Sequence, residues 1–324
     1  MSNRLSILIY HRVLPERDPL QPDIPDATQF ARHMGALKRW YRVLPLADAV
    51  RRLFDGTLPS RAAAVTFDDG YRDNVEVALP ILQRLNVHAT FFIATGFLGG
   101  GRMWNDTVIE SVRAWRDEAL DIPELDMAGI SVNGPGERQA AIARVLQALK
   151  YLPGDERLSV ANAFAERVEI GGRPLMMDEE QVRALVAAGM DIGGHTVTHP
   201  ILQRLQPNEA HREIVEGRRT LQEITGNAVP LFAYPNGKPA TDYCQEHVRM
   251  VRDAGFEAAV STAWAAASVM DDIYQLPRFT PWDQKTVRYL VRLAASRLRG
   301  GKADRVGGDA AVSAERQGAP DRLP

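Results

Sequence analysis

Seven short apolar runs, each closed by turn-forming residues, alternate with amphipathic stretches along most of the chain. They are Leu5–Tyr10, Ala62–Phe67, Ala89–Thr95, Asp191–Gly194, Leu231–Tyr234, Glu257–Ser261 and Tyr274–Arg278. Runs apolar on both faces read as strands covered on both sides, the habit of parallel sheets whose crossover helices pack over them. The stretches between supply those helices. Thr28–Trp40 sets Phe30, Met34, Leu37 and Trp40 on one face, and Asp178–Gln181 has the capping-box pattern that opens a helix ending at Gly189. Asn208–Gly226, Thr241–Gly255 and Gln284–Arg299 read the same way, while Pro80 predicts a kink or restart within Asn74–Leu85. About seven parallel strands predict an α/β fold, a deformed and incomplete (β/α) barrel.

The rhythm breaks between about residues 99 and 175, where Arg138–Leu149 carries a helical pattern and Asn133–Gly136 reads as a turn. This stretch is expected to be a helical insertion within one barrel domain spanning residues 1–299. It serves either as a stabilising subdomain or as a wall over the site. Residues 300–324 lack periodicity and are expected to form a disordered tail.

A net charge of −2 argues against a nucleic-acid partner, and a single cysteine, Cys244, rules out an intrachain disulfide. The apolar run Leu5–Tyr10 is too short for a secretory signal or a membrane span, and no small-residue cleavage site follows it. It reads as a buried first strand, and the expectation is a cytoplasmic protein without a transmembrane segment.

Polar residues collect where the strands end. Tyr10-His11 follows the first run, Asp68-Asp69-Gly70 the second, His195 the fourth and Pro235-Asn236-Gly237 the fifth, and Arg278 closes the last. In barrels and open α/β sheets this is the edge that binds ligands. Asp69, His195 and His199 offer one oxygen and two nitrogens, a donor set for a catalytic divalent cation that leaves positions for water and substrate. Zinc suits that set, and cobalt, nickel or manganese would also fit. Asp68 then remains beside it as a general base for an attacking water. Taken singly, the two histidines could be turn residues and the two aspartates a turn or a helix cap.

The motifs resemble those of the polysaccharide deacetylase (NodB-homology) superfamily, carbohydrate esterase family 4. The family's Thr-Phe-Asp-Asp-Gly stands at Thr66–Gly70 and its His-Ser/Thr-x-x-His at His195–His199. Its Phe-Arg-x-Pro-Tyr-Gly is altered here to Phe232-Ala-Tyr-Pro-Asn-Gly237. The resemblance covers most of Arg4 to about Phe279 apart from the insertion. It implies a deformed barrel and metal-dependent removal of N- or O-acetyl groups from amino-sugar polymers, with Asp68 as base and Asp69, His195 and His199 as ligands.

Two departures follow. The arginine that would orient the base is Ala233 here, and Arg278 is a candidate to replace it, the alternative being a solvated arginine after a proline. The family's C-terminal acid histidine is absent, since no histidine follows His247. Tyr10-His11-Arg12-Val13 resembles the N-terminal histidine motif of the circularly permuted deacetylases, which include bacterial enzymes acting on poly-N-acetylglucosamine. That resemblance makes His11 the acid, since first and last strands of a closed barrel are neighbours. Tyr234, Pro235 and Asn236 are the expected oxyanion and substrate segment, through a backbone N–H near Asn236. Trp104 is a candidate sugar-stacking ring with core packing as the default. The expected activity is deacetylation of an N-acetylated glycan or glycan precursor. The alternatives are a small-amide hydrolase of the same superfamily and, third, a non-catalytic glycan-binding relative.

Overall fold

The computed structural model describes residues 4–171, 174–299 and 304–307. Ten strands occur in it: β1 (Ser6–Tyr10), β2 (Arg42–Val43), β3 (Ala62–Phe67), β4 (Ala89–Ile93), β5 (Ala119–Ile122), β6 (Met127–Ser131), β7 (Asp191–Gly194), β8 (Leu231–Ala233), β9 (Ala258–Trp264) and β10 (Leu276–Arg278). Seven of them form one parallel sheet in the order β1-β3-β4-β7-β8-β9-β10, and the two-residue β2 pairs with β3 off that path. The sheet curls until its ends meet. They meet at one parallel bridge, Leu8 with Phe279, where Ile9 N–H donates to the Phe279 carbonyl at 3.0 Å and Phe279 N–H to Ile7 at 2.7 Å. The deformed, nearly closed barrel expected from the alternating pattern is therefore observed, with one incomplete seam between β1 and β10.

Period-two alternation divides the core. Ile7, Ala62, Ala64, Phe92, Ala233 and Val260 belong to one apolar cluster, which helix Leu46–Phe54 joins. Leu8, Tyr10, Val65, Phe67, Phe91 and Phe232 pack in the other, between sheet and outer helices. Carried past the end of β3, the Ala62, Ala64, Thr66 series next reaches Asp68. The strand that builds the core thus delivers a carboxylate at its rim.

Pro80 lies at the start of helix Leu79–Leu85, which a π-helical turn, Asn74–Ala78, precedes. The helix restarts there because proline has no N–H to continue the ladder. The insertion contains helices Trp104–Ala114, Pro135–Leu149 and Gly154–Ala165 around its own core of Val108, Val112, Val145 and Phe164. The sequence predicts a helical insertion, and the structure corrects this, since the insertion also contains two strands. β5 and β6 form an antiparallel hairpin that puts Leu120 and Ile122 into that core. Four residues of alternation and a glycine in the second strand give too little signal to reveal it.

The tail expectation for residues 300–324 falls largely outside the described residues. Among those described there, Val306 exchanges hydrogen bonds with the buried side chain of Gln275, N–H to Oε1 at 2.8 Å and Nε2 to the carbonyl at 3.1 Å. Among the described residues no helix is long and apolar enough to cross a membrane.

Candidate active site

The turn after β3 brings two adjacent carboxylates into different surroundings. Asp69 takes a left-handed backbone, φ 77°, and Gly70 follows at φ 93°, where a Cβ would lie 3.0 Å from Ile93 Cγ2. Glycine is what fits there. The reversal turns Asp68 and Asp69 to different partners although both are buried.

Asp68 faces Arg278. The guanidinium donates from Nη1 to Oδ1 and from Nη2 to Oδ2, each at 2.7 Å, a fork-on-fork pair. Its Nε donates to the Ser261 carbonyl at 3.0 Å and Nη1 also reaches Thr66 Oγ1 at 3.2 Å, so the fork cannot swing. Arg278 is 1% exposed, which excludes the solvated-arginine alternative. Burial pushes the Asp68 carboxyl up, but the Arg278 guanidinium outweighs it and holds the group below its usual range.

Asp69 faces the histidines. Its Oδ1 lies 3.4 Å from His195 Nε2 and 3.3 Å from His199 Nε2, and the three donor atoms fall within 4.8 Å of one another. His195 Nδ1 is 2.7 Å from the Ala233 carbonyl. That contact assigns the proton to Nδ1 and leaves the Nε2 lone pair turned toward Asp69. Asp69 Oδ1 is buried without a well-formed hydrogen bond. Such an oxygen between two ring nitrogens fits a divalent cation, because its lone pairs have nothing else to satisfy them. Burial raises Asp69, yet the imidazoles around it hold it well below the carboxylate range. The two rings diverge. Burial lowers His199 to about 4, whereas in His195 the same burial is overcome by Asp69 and Asp68 and the ring is raised.

The His195–His199 turn is pinned along its length. Thr196 and His199 have φ of 67° and 54°, a costly region for a β-branched residue. Glu213, on helix Pro207–Thr225, accepts the N–H groups of Val197 and Thr198, each at 2.8 Å, and the Thr198 hydroxyl at 2.7 Å. His199 N–H donates to Thr196 Oγ1 at 3.1 Å. Four residues beyond Glu213, Gly217 lets the helix touch the turn, since a Cβ there would sit 2.8 Å from the Thr196 carbonyl oxygen.

His11 follows β1, with its carbonyl held by Asn74 Nδ2 at 2.8 Å, and its ring is among the charges that lower both Asp68 and Asp69. Behind it lies a second buried network. Arg12 Nε donates to Asp73 Oδ2 at 2.8 Å, its guanidinium lies 4.8 Å above the Tyr71 ring, and the Tyr71 hydroxyl reaches both Asp106 oxygens at 3.1 and 3.2 Å. Asp106 stands on the first insertion helix, and this contact ties the insertion to the turn that carries Asp68 and Asp69. Burial pushes the Asp106 carboxyl up to about 7 against the pull of Arg12 and Tyr71.

Other expected residues fall in different places. In the segment after β8, Asn236 has φ 58° and its N–H finds no acceptor among the described residues, while Gly237 N–H folds back on Pro235 at 2.6 Å. The Tyr234 side chain is buried and stacked on Tyr243, centroids 3.9 Å apart, so any part it takes is through its backbone. Trp104 packs against the insertion core with Arg157 over its ring at 5.0 Å, as its default reading had it. Sequence reasoning missed Asp73 and Glu213, whose only signal is polarity that distant packing buries, and it gave Arg12 no role beyond its place in the Tyr10–Val13 motif.

The sequence profile of the polysaccharide deacetylase family matches residues 55–123 and 134–259, more than half the chain. The Bacillus subtilis (strain 168) protein YxkH, provisionally named a polysaccharide deacetylase, is 22% identical over 277 residues, covering 85% of this chain and 70% of its own. Two solved structures share the fold. The Streptococcus pyogenes deacetylase PplD in complex with acetate has TM-score 0.61 and 17% identity, with 90% of this chain and 99% of that one covered. IcaB from Ammonifex degensii has TM-score 0.58 and 20% identity, covering 89% and 98%. The metal-suited triad, the paired aspartates and the profile match agree: the chain belongs to the polysaccharide deacetylase family.

Proposed function

We propose that this chain is a metal-dependent hydrolase that removes N-acetyl groups from an amino-sugar polysaccharide or its precursor. One observation carries the reading: of two adjacent buried aspartates, Asp68 is held by the Arg278 fork and Asp69 by two imidazoles. Asp69, His195 and His199 would hold the divalent cation, for which zinc suits the donor set. When bound there, the cation supplies Lewis-acid polarisation of the acetyl carbonyl and acidifies water.

The chain's own groups do the rest. Asp68, kept ionised and aimed by Arg278, takes the proton of the water that attacks the carbonyl carbon. The Asn236 N–H stands available to the developing oxyanion. His11 gives a proton to the amine nitrogen as the C–N bond breaks, and acetate and a free amino sugar leave. The reading includes a cytoplasmic site of action, which cell fractionation tests.

The deciding experiment measures acetate release from chitooligosaccharides, peptidoglycan fragments and acylated small amides. Asp68→Asn should retain metal by elemental analysis and lose turnover by about 10²- to 10⁴-fold. Undiminished turnover would remove Asp68 as base, and cleavage confined to the small amides would replace the glycan substrate. His11→Ala should abolish the limb of the pH profile that reports the acid, and an unchanged profile would return that role to another group.

A further inference from the structure

Charge on this chain is unevenly placed. The net is −2, yet residues 27–42, which include helix Ala27–Trp40, carry Arg32, Lys38, Arg39 and Arg42 and no carboxylate. Residues 284–298, which include helix Thr286–Ser296, carry Lys285, Arg288, Arg292 and Arg297 and again none. The two helices lie side by side. The rings of His33 and Tyr289 stack at 4.3 Å, and Gln29 Nε2 and His33 Nε2 both meet the Asp283 carbonyl. The Asp283 carboxylate is shared by Arg288 at 3.1 Å and Arg292 at 2.7 Å, so one positive charge of that pair stays uncompensated. Arg297 is half-buried with its Nη1 donating to the Arg4 carbonyl at 2.8 Å, and burial, with the like charges of Arg4 and Arg61, lowers it against the pull of Tyr41.

The same face is apolar along its crest. Helix Thr286–Ser296 buries Tyr289 and Leu293 on one side, while Val287 and Val291 are 74% and 62% exposed on the other, and in the 3-10 turn Arg297–Arg299 that follows it Leu298 is 82% exposed. The four-residue spacing puts Val287 and Val291 in one stripe, and Leu298 adds an exposed apolar side chain just past the helix end. Two tryptophans are half exposed on the same pair of helices: Trp282, whose ring carries the Arg292 guanidinium at 4.4 Å, and Trp40 at the end of the first helix. Single exposed apolar residues are ordinary, but a helical stripe set among arginines and rimmed by tryptophan is the pattern of a helix lying in a lipid interface.

We propose that this face docks on an anionic phospholipid surface, with the Val287–Val291 stripe and Leu298 entering the headgroup boundary and the guanidinium groups meeting phosphates. A second copy fits poorly, because two such faces would set cation against cation, with Asp283 already paired and the remaining carboxylates, Asp23 and Asp26, confined to the N-terminal end of the first helix. An acidic protein would satisfy the arginines and leave the valines without a reason. Both helices follow seam strands and run back along the outside of the barrel, so docking leaves the edge that carries Asp68 and Asp69 open. The inference stands independently of the proposed substrate.

The test mixes the full-length protein with phosphatidylcholine vesicles with and without phosphatidylglycerol. Expected are co-sedimentation with the anionic vesicles alone, a blue shift of tryptophan emission, and release at high salt. Arg32→Glu with Arg39→Glu should weaken partition by at least about thirtyfold. Val291→Glu with Leu298→Glu should abolish it, with the circular dichroism spectrum and acetate release from a soluble substrate unchanged. Val291→Ser reads the same contact should that pair fail to fold. Equal binding to both vesicles, undiminished binding of the Val291 variants, or binding to polyglutamate but to neither vesicle would overturn the proposal. So would a wild-type dimer that Val291→Ser dissociates.

Discussion

Asp68 and Asp69 are chain neighbours with different proposed tasks, and the difference lies in what each touches. Arg278 spends both arms of its fork on Asp68 and its third nitrogen on Ser261. Removing it strands a buried carboxylate, so Arg278→Ala should destabilise the fold by about 3–5 kcal/mol in denaturant titration. Arg278→Lys keeps the charge and loses the fork. The sign of the pH effect follows from the lowered Asp68 value. A depressed carboxyl contributes stability above the unfolded pKa, about 3.9, and loses it as pH falls through the folded one. With a weaker partner the folded value rises, and the acid limb of kcat/KM in Arg278→Lys should move to higher pH. At this scale the sequence was most readable where residues are contiguous. Asp68, Asp69, His195 and His199 stand in two short motifs beside strand ends, whereas the pairing of Arg278 with Asp68 appears only in the folded chain. Glu213 and Asp73 were invisible, since an exposed and a buried acid look alike in one dimension.

Among elements, the His195–His199 turn depends on a helix that contributes no ligand. Glu213 anchors two of its N–H groups and a hydroxyl, holding Thr196 and His199 in strained conformations. Glu213→Ala should therefore weaken metal affinity by about 10- to 100-fold, read by calorimetric titration, although Glu213 touches no ligand atom. Gly217→Ala should act likewise, by driving a methyl toward the Thr196 carbonyl, at a stability cost of about 1–3 kcal/mol. The insertion is attached through Asp106 on Tyr71, and the raised Asp106 value works in the opposite direction to Asp68. Its folded form holds a proton up to about pH 7 that the unfolded form gives up near 4, so this site loses stability as pH rises between them. Asp106→Asn should flatten the metal-free protein's thermal stability across that interval, and an unchanged slope would show that another group is responsible. Strands and helices were legible because apolar period and capping residues agree, as at Asp178–Gln181. The β5–β6 hairpin was not, because its strands are short and half exposed.

For the molecule as a whole, the barrel topology follows from both-face-apolar strands alternating with helices, and the sequence carries that plainly. What it does not carry is how well the ring closes. β10 is three residues long, contains Pro277, which has no N–H to donate, and shifts register against β9. On its other side it meets β1 through two hydrogen bonds around Phe279. Amides of Ile9 and Phe279 should accordingly exchange with solvent faster than those of Phe91 or Ile93, as native-state hydrogen exchange will show.

His11 and Arg278 stand on opposite banks of that seam, one following β1 and the other ending β10. The ring is thinnest there, held by the Phe279 bonds, by the Leu5–Ala267 bridge below them and by the Arg278 fork on Asp68, and an opening at that place parts the proposed acid from the residue that aims the proposed base. Mild urea should therefore silence the protein while its far-UV spectrum is still native, making the working limit of this molecule a local fraying rather than a melting point.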